Sequence, residues 1–483
     1  MAYTAFITRI KNLRQHPNAD RLQMGECFGN TVIVSMDYTD NQIGIYFPSD
    51  GQVSVAFAEA NNLLRKKDDA GNNIGGYMDA DKRNVTAIKL RGEKSDGLFL
   101  PLSSLESFGD ITTLHEGDRI DNFNGHEICC KYVPRRNHRQ GGVSQGNRTR
   151  KKKVDVAPLF VEHADTEQLA YNLGAFKPGD EIEITLKMHG TSQRTGYLPR
   201  VTDYIAPGIA WDILDRKFLF KLFKPTKKMI EWAENKKEPV YDWGYVSGTR
   251  RTVLENYDGG YYGSNEFREQ HSKFFEGKLW KGEEIFYEVV GFTHTGAPIM
   301  ATADNKKLND KEFVKQYGKE TVFSYGCHSN GWTNDDGGYN LGHCEPQSQI
   351  YVYRMTMTNE DGDVVEYTPD FMRYRCEQMG VKTVPVFYKG YIEDKNALSE
   401  NDCDMTIYDN VGEYVKALAE QFYDGPDPIG KTHVREGVVV RILNRPKFCA
   451  YKHKNFAFKC LEGIVKVEAE APDMEEAEDV ADA

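Results

Sequence analysis

The sequence predicts an α+β protein in two unlike parts, a small β-barrel followed by a larger domain of antiparallel sheets and helices. In the first 133 residues, short runs that alternate between apolar and polar residues recur between turns, a spacing typical of a small barrel. Beyond about residue 154 the strand-like runs lengthen and helical spacing interrupts them. With 483 residues, the chain is long enough for two or three domains.

The predicted elements of the two parts differ in period and length. In the first part, alternation predicts strands at Asn30–Met36, Gln42–Pro48, Val85–Gly92 and Asp96–Leu100. In the second part, helical spacing predicts helices at Lys227–Glu234 and Val411–Ala419. An apolar stretch, Phe218–Phe223, predicts a further helical segment before the interruption at Pro225.

Charge is distributed unevenly along the chain. Residues 134–153 carry eight Lys and Arg side chains, no acid and three glycines, which predicts a flexible basic linker. That linker is either a phosphate-binding strip or a solvated connector. Residues 468–483 are predicted to be a disordered acidic tail. The segment after Lys466 holds eight acids and no Lys or Arg, so without it the net charge of −12 becomes −4.

Composition is typical of a globular protein from a reducing compartment. No run of 18 apolar residues is present, which argues against a transmembrane helix, and the first residues lack the features of a secretory signal. Nine cysteines, an odd number, argue against a disulfide framework. We therefore predict a cytoplasmic protein and, because no coiled-coil pattern is present, a monomer.

One short string, Lys187–Ser192, is chemically unusual. It follows the strand-like run Glu181–Leu186, so a lysine closes an apolar strand. Lysine becomes a nucleophile where burial and neighbouring cations favour its neutral amine. Gly190 allows the backbone to turn tightly and approach a phosphate. Alone, a Lys-x-His-Gly string is more often a surface turn, so its meaning depends on the residues further along the chain.

Five further strings lie after the lysine in the second part. They are Val246–Arg251, with Ser-Gly-Thr-Arg-Arg; Ile285–Gly291, with a glutamate inside a strand; Ile350–Met355, with two tyrosines; Val434–Arg441, with a glutamate before an alternating strand; and Ala450–Asn455, with two lysines. Residues two apart on a strand share a face, so Lys452 and Lys454 point the same way. Each string alone has an ordinary explanation, such as a solvated strand-end charge, but the ordered set is far more specific.

The ordered set resembles the covalent nucleotidyltransferases, that is, polynucleotide ligases and mRNA capping enzymes, over roughly Ala157 to Val467. The Lys-x-His-Gly variant is most similar to the RNA ligase 2 group. In the N-terminal part, His16–Leu22 and Leu90–Leu98 resemble the tRNA-binding OB domain found beside aminoacyl-tRNA synthetases, although for their individual residues we favour the explanation that they only form the turns of such a barrel. Only 24 residues follow Lys459. An OB-like region before the lysine, with no room for a domain after it, resembles the ATP-dependent RNA ligases of the RNA ligase 5 type.

The resemblance implies a domain organisation, a fold and a reaction. Residues 1–133 would form an OB-like nucleic-acid-binding domain and 154–467 an adenylyltransferase domain with ATP-grasp-like antiparallel sheets and helices. Lys187 would react with ATP to give lysyl-AMP. AMP would then pass to a 5′-phosphate, and a 3′-hydroxyl would displace it. The implied partner is nicked duplex RNA or an RNA-containing duplex.

The resemblance also implies a role for each site residue. The implied catalytic residues are Lys187, Lys452, Lys454 and Glu436, the last of which would hold Mg²⁺ or Mn²⁺ through water. The implied nucleotide-binding residues are His189, Gly190, Arg250, Glu288 and Tyr353, with Tyr353 stacked on the purine and His189 near the leaving phosphates. Arg251 is an alternative to Arg250, and Tyr351 is an alternative to Tyr353.

Two other functions fit parts of the pattern. A DNA ligase-like nucleotidyltransferase would seal a nick with a DNA 3′-hydroxyl end. A non-catalytic RNA-binding protein would use the OB-like region alone, but it would have no need for the complete lysine and glutamate set. Cys327, His328, His343 and Cys344 flank a glycine-rich loop and could bind zinc, but they lack Cys-x-x-Cys spacing, which favours free side chains.

Overall fold

The structure is a computed structural model that describes residues 3–67, 73–132, 156–160, 162–163, 166–206, 208–215, 225–254, 256–257, 265–294, 299, 348–393, 410–425, 427–429 and 434–459. Several sequence predictions lie outside these ranges: the basic linker 134–153, the acidic tail 468–483, Phe218–Phe223, and the candidate zinc residues Cys327, His328, His343 and Cys344.

The N-terminal unit, residues 3–132, consists mainly of short strands. Its strands are β1 Ala5–Arg9, β2 Lys11–Gln15, β3 Leu22–Cys27, β4 Asn30–Ser35, β5 Ile43–Phe47, β6 Gly51–Val53, β7 Lys66–Lys67, β8 Asn73–Gly75, β9 Asn84–Val85, β10 Ala87–Leu90, β11 Glu93–Asp96, β12 Leu98–Pro101, β13 Arg119–Ile120, β14 Asn122–Phe123, β15 His126–Glu127 and β16 Cys129–Lys131. An α-helix, α1 Val55–Ala60, follows β6, and the side chain of Ser54 caps its N-terminus; two 3-10 helices, Leu102–Phe108 and Ile111–Thr113, follow β12.

These strands form antiparallel sheets in the orders β12-β5-β1-β13, β2-β3-β4 and β16-β6-β9, together with three two-stranded hairpins. The four strands predicted from alternation correspond to β4, β5, β10 and β12. Ile7 of β1 and Ile45 and Phe47 of β5 meet in one buried core cluster, because alternate residues of these two strands face the same side of the sheet. Among the described residues the strand pairing does not close a barrel, so the OB fold stays a prediction.

The two strings that resemble a tRNA-binding domain contact each other. The Nε2 atom of His16 lies 3.1 Å from the carbonyl oxygen of Leu90. Asn18 Nδ2 donates to the carbonyl of Arg91 at 2.9 Å. These polar groups therefore hold the two turns together, which agrees with the explanation that the strings form only turns of the N-terminal unit.

The C-terminal unit, residues 156–459, mixes long strands with helices. Its strands are β17 Glu167–Gln168, β18 Glu181–Leu186, β19 Thr191–Ile205, β20 Glu238–Gly248, β21 Glu283–Gly291, β22 Ser348–Thr358, β23 Val364–Glu366, β24 Lys382–Thr383, β25 Val386–Tyr391, β26 Gly437–Ile442 and β27 Ala450–Lys454. Its helices are α2 Ile209–Asp215, α3 Lys227–Glu234, α4 Glu266–Phe274, α5 Pro369–Met379 and α6 Val411–Glu420. Helices α3 and α6 confirm the two helices predicted from spacing.

Two sheets form the C-terminal unit, in the orders β17-β27-β26-β18-β25 and β20-β19-β21-β22-β23. Their pairings are antiparallel except for β17 with β27 and β22 with β24. The first sheet buries one face against α6, where Ile184 and Val440 pack against Val415 and Ala419. The prediction of an α+β protein with several antiparallel sheets is therefore confirmed. No helix in the described ranges is long and apolar enough to cross a membrane.

The chain passes from one sheet to the other between β18 and β19. Residues 187–190 make this crossing, so the string singled out in the sequence lies at the junction of the two sheets. The opposite face of β18, which carries Glu183 and Thr185, lines a cavity between the sheets. The fold thus places the predicted site in a groove.

Helix α4 carries a buried histidine that makes stability depend on pH. His271 Nε2 lies 2.7 Å from Ser348 Oγ, and burial together with the charge of Arg268 lowers the pKa of His271 from 6.5 to about 4. Between these values the unfolded chain binds a proton that the folded chain does not, so the free energy of unfolding falls as pH falls. From pH 7 to 5 we expect a loss of about 2 kcal/mol from this group. Urea unfolding at pH 7 and pH 5 should show this loss in the wild type. His271→Gln should make the free energy of unfolding depend less on pH, and an unchanged pH dependence would contradict the assignment to His271.

Candidate active site

Lys187 lies at the start of the crossing between the sheets, where two glycines bring backbones together. Its backbone N–H donates to the carbonyl of Gly437 at 3.0 Å. A Cβ atom on Gly190 would lie 2.3 Å from the carbonyl oxygen of Val289, and one on Gly437 would lie 2.1 Å from that of His453. Gly437 also has a φ of 149°, a conformation that favours glycine. The Lys-x-His-Gly and Glu-Gly strings are thus paired directly.

The carboxylate of Glu436 is the centre of the site. Its Oε1 atom lies 2.6 Å from Lys187 Nζ and 3.3 Å from Lys454 Nζ. Its Oε2 atom accepts a hydrogen bond from His189 Nδ1 at 2.7 Å. Glu436 is only 3% exposed. Three side chains, from Lys187, His189 and Lys454, therefore meet on the carboxylate of a fourth predicted residue, Glu436.

The charges of this cluster fix its protonation. Burial raises the pKa of the Glu436 carboxyl, but Lys187, Lys454 and His189 outweigh burial and hold that pKa below its usual value. Burial also lowers the pKa of His189, against the opposing effect of Glu436. At neutral pH Glu436 is therefore a carboxylate, and a neutral His189 ring donates its Nδ1 proton to it.

Asn455, the residue after Lys454, holds the end of β27 beside Glu436. The backbone N–H of Asn455 donates to the carbonyl of Glu436 at 2.7 Å, and its side-chain Nδ2 donates to Asp424 Oδ1 at 2.7 Å. Asn455 is buried. It fixes the distance between Glu436 and the end of β27.

Strand register places Lys452 on the cavity side of the first sheet. Thr185, Val439 and Ala450 line the cavity. Lys452 pairs with Val439 across β26 and β27, and it is two residues from both Ala450 and Lys454. Because strand residues two apart share a face, Lys452 faces the cavity together with Lys454.

The second sheet supplies the opposite wall of the cavity. Arg250, Glu288 and Tyr353 line it, from the end of β20, from β21 and from β22. Arg251 is exposed. Neither Arg251 nor Tyr351 lines the cavity, so the geometry favours Arg250 and Tyr353 over their alternatives.

Tyr353 reaches the cavity because β22 bulges. Phe286 pairs with Arg354 and Tyr287 pairs with Val352, which leaves Tyr353 as the extra residue. Its hydroxyl lies 2.9 Å from Ser192 Oγ. Burial, and then the charge of Glu288, raise the pKa of the Tyr353 hydroxyl, so it remains protonated and can hydrogen-bond. A polar aromatic ring is thus fixed in the wall.

Several residues at the site were missed by the sequence analysis. The His163 ring lies 5.2 Å from the Tyr353 ring and lines the cavity. Arg268, fully buried, donates to the carbonyl of Ser192 at 3.0 Å and to Thr191 Oγ1 at 2.5 Å. Ser192 itself ended the predicted string, but no role was assigned to it. These contacts join distant parts of the chain, and no local pattern signals them.

The string Gly425–Thr432 has the Gly-x-x-x-x-Gly-Lys-Thr spacing of a phosphate-binding loop. Such a loop requires a strand before it and a helix after it. Pro426 and residues 430–433 lie outside the described part of the chain; among the described residues around the string, helix α6 ends at Glu420 and strand β26 begins at Gly437. Pro426 and Pro428 also lack the N–H groups with which such a loop binds phosphate. The string therefore does not support a second nucleotide site.

The cavity is open to solvent at its mouth, and the space inside it and in front of it amounts to about 860 Å³. It combines cationic side chains with the carboxylates of Glu183 and Glu288. In the ranges that the structure describes, no group of three or more His, Cys, Asp or Glu side chains could form a metal cage. A hard divalent cation would here be held by Glu436 together with water or phosphate oxygens, the donors that Mg²⁺ prefers.

Comparison with known proteins shows a fold relationship. No family model matches the chain, and no curated protein matches it. Solved structures do: variants of the Naegleria gruberi RNA ligase with ATP and Mn, with AMP and Mn, and in the apo form each superpose with a TM-score of 0.50 at 14% sequence identity. These alignments cover 96%, 95% and 96% of this chain and 98%, 98% and 99% of the other. The chain thus has a fold similar to that of an RNA ligase along nearly its whole length.

Proposed function

We propose that this protein is an ATP-dependent RNA ligase that works through a covalent lysyl-AMP intermediate. The observation that carries the proposal is the meeting of Lys187 and Lys454 on the buried carboxylate of Glu436, at the edge of a cavity that Arg250, Glu288 and Tyr353 line. A fold similar to that of an RNA ligase solved with ATP and Mn supports the same conclusion.

In the first step Lys187 attacks the α-phosphorus of ATP. The Lys187 ammonium first gives up one proton to solvent, because only the neutral amine can attack. A bond then forms between Nζ and phosphorus, the bond from phosphorus to the pyrophosphate oxygen breaks, and Nζ gives up a second proton, so that the phosphoramide keeps one N–H. Lys454 and Lys452, on the same face of β27, neutralise the charge that develops on the α-phosphate. His189 holds the Glu436 carboxylate in place by its 2.7 Å hydrogen bond.

A divalent cation fits the donor set at Glu436. Mg²⁺ or Mn²⁺ bound there through water would neutralise phosphate charge and favour the neutral Lys187 amine. The same carboxylate lies 2.6 Å from Lys187 Nζ, so a cation bound at Glu436 would lie close to the nucleophile and to the α-phosphate it attacks.

The wall formed by the second sheet is proposed to bind the nucleoside. Tyr353 presents a fixed aromatic ring for stacking on the purine. Arg250 and Glu288 offer a donor and an acceptor for ribose hydroxyls. The crossing at Gly190 lets the chain turn beside the phosphates without a side chain in the way.

The later steps are proposed to join a 3′-hydroxyl to an adenylylated 5′-phosphate in nicked duplex RNA or an RNA-containing duplex. Residues 1–133 would form an OB-like RNA-binding domain, 134–153 a basic linker, and 154–467 the adenylyltransferase, as in the RNA ligase 5 type. We propose a monomer that acts in the cytoplasm.

The substrate class can be tested with matched nicked duplexes. The full chain is incubated with ATP and either Mg²⁺ or Mn²⁺ and with nicks whose 3′-hydroxyl strand is RNA or DNA. Sealing of nicks with an RNA 3′-hydroxyl end is expected. Exclusive sealing of DNA ends would replace the proposal with a DNA ligase, and RNA binding without sealing or lysyl-AMP would point to a binding protein.

A further inference from the structure

The N-terminal unit contacts the segment that directly follows the lysine-bearing strand β27. The Lys459 ammonium lies 2.5 Å from Asp96 Oδ2, and both side chains are largely buried. Lys94, on the same hairpin as Asp96, places its ammonium 4.9 Å from the centre of the Phe456 ring. A buried ion pair and a cation–π contact thus fix the helical turn 456–459 to the N-terminal unit.

A second contact lies beside β27. Arg119 of the N-terminal unit is 3.7 Å from Glu167 Oε2, and its Nη2 donates to Asn172 Oδ1 at 3.1 Å. Glu167 begins β17, which pairs in parallel with Tyr451 and Lys452. The N-terminal unit therefore also contacts β17, the strand that lies next to Lys452 in the sheet.

A third contact comes through helix α6. Lys416 Nζ donates to the carbonyl of Phe28 in the N-terminal unit at 3.1 Å and lies 3.6 Å from Glu420. Glu420 lies 3.4 Å from the ring of His453, which sits on β27 between the two lysines. The three contacts therefore reach the turn that follows β27, its neighbour β17, and His453 on β27 itself.

The helical turn 456–459 in turn contacts the site itself. Phe458 is fully buried, and the centre of its ring lies 4.7 Å from the centre of the His189 ring, in an edge-on arrangement. The residue before the turn, Asn455, donates its backbone N–H to the carbonyl of Glu436 at 2.7 Å. A shift of this turn would therefore move both His189 and Glu436.

We infer that the N-terminal unit holds β27 and the turn after it in register with Glu436, and that Asp96 and Lys459 are positioning residues for the first chemical step. This inference rests on the proposed lysyl-AMP reaction. It assigns to the N-terminal unit a part in the reaction of the protein with ATP, before any RNA is bound. Small displacements of reacting groups cost large factors in rate, so a loss of this ion pair should slow the chemistry.

The test compares single-turnover lysyl-AMP formation by the full-length wild type and Asp96→Asn at saturating ATP. We expect the rate constant to fall by about tenfold or more, with the ATP concentration for half-maximal rate unchanged. Lys459→Gln should give the same fall, and the double variant should be no slower than either single one, because both changes break one contact. Arg9→Gln is the matched control: it breaks the Arg9–Glu116 ion pair, which lies within the N-terminal unit, and should leave the rate unchanged.

The rate constant separates positioning from stability. Partial unfolding lowers the fraction of molecules that react, whereas misplacement lowers the rate of those that do. A normal rate constant in Asp96→Asn, with or without a reduced amplitude, would overturn the inference. If Asp96→Asn fails to fold, Lys94→Ala, at an exposed position, decides in its place: a normal rate overturns the inference and a reduced rate supports it. No lysyl-AMP in the wild type itself would contradict the proposed function and this inference together.

Discussion

Lys187→Arg is expected to abolish lysyl-AMP formation and RNA joining while the fold stays intact. Arginine keeps the positive charge that pairs with Glu436 at 2.6 Å, but its guanidinium is not deprotonated in proteins and so supplies no nucleophile. The loss should be on the order of 10⁴-fold or more, as for other nucleophile replacements. Single-turnover labelling with ATP measures it directly.

The matched control is Lys273→Arg, because Lys273 is an exposed lysine that also pairs with a glutamate, Glu269, at 2.6 Å. It should label like the wild type. Residual labelling of Lys187→Arg at a rate near that of the control would mean that another residue forms the covalent bond, and the site would have to be reassigned.

Glu436→Gln is the second change with a large expected effect. It keeps the size of the side chain but removes the charge that brings Lys187 and Lys454 together and that would hold the divalent cation. Removing one such electrostatic contact from an active site typically costs 10²–10³ in rate. We expect a fall of about 100-fold or more in lysyl-AMP formation, and a weaker dependence of the remaining rate on metal concentration.

Glu284→Gln serves as its control. Glu284 is also buried and ion-paired, to Arg194 at 3.2 Å, but it does not line the cavity. This change should lower the free energy of unfolding and leave the rate constant of the folded fraction unchanged. Equal rate losses in both variants would show that any buried charge change disturbs the site, and would remove Glu436 from its proposed role.

The resemblance carried by the ordered strings implied the residues that the structure brings together at Glu436, and these residues lie at the ends of regular strands. Lys187 follows β18 and Glu436 precedes β26, and antiparallel pairing of these two strands brings the ends together. Lys454 follows by alternation along β27. Alternation alone predicted only that Lys452 and Lys454 share a face, whereas the resemblance implied a common site for residues about 250 positions apart, such as Lys187 and Glu436.

Other features could not be read from local pattern. The bulge that directs Tyr353 into the cavity depends on a register shift against β21. The bonds from Arg268 to residues 191 and 192 join a helix to a strand more than 70 residues away. The ion pair between Asp96 and Lys459 joins the two units, and these residues are 363 positions apart in the sequence. Each depends on packing between elements, which the periodicity of one segment does not report.

The most direct test of the lysyl-AMP proposal is the intact mass of the wild-type chain after incubation with ATP and Mg²⁺ or Mn²⁺, followed by peptide mapping. We expect one added AMP, attached to the peptide that contains Lys187, and its release when nicked RNA is supplied. Folded protein that starts free of AMP and gains no adduct with either metal, or an adduct on a different residue, would contradict it.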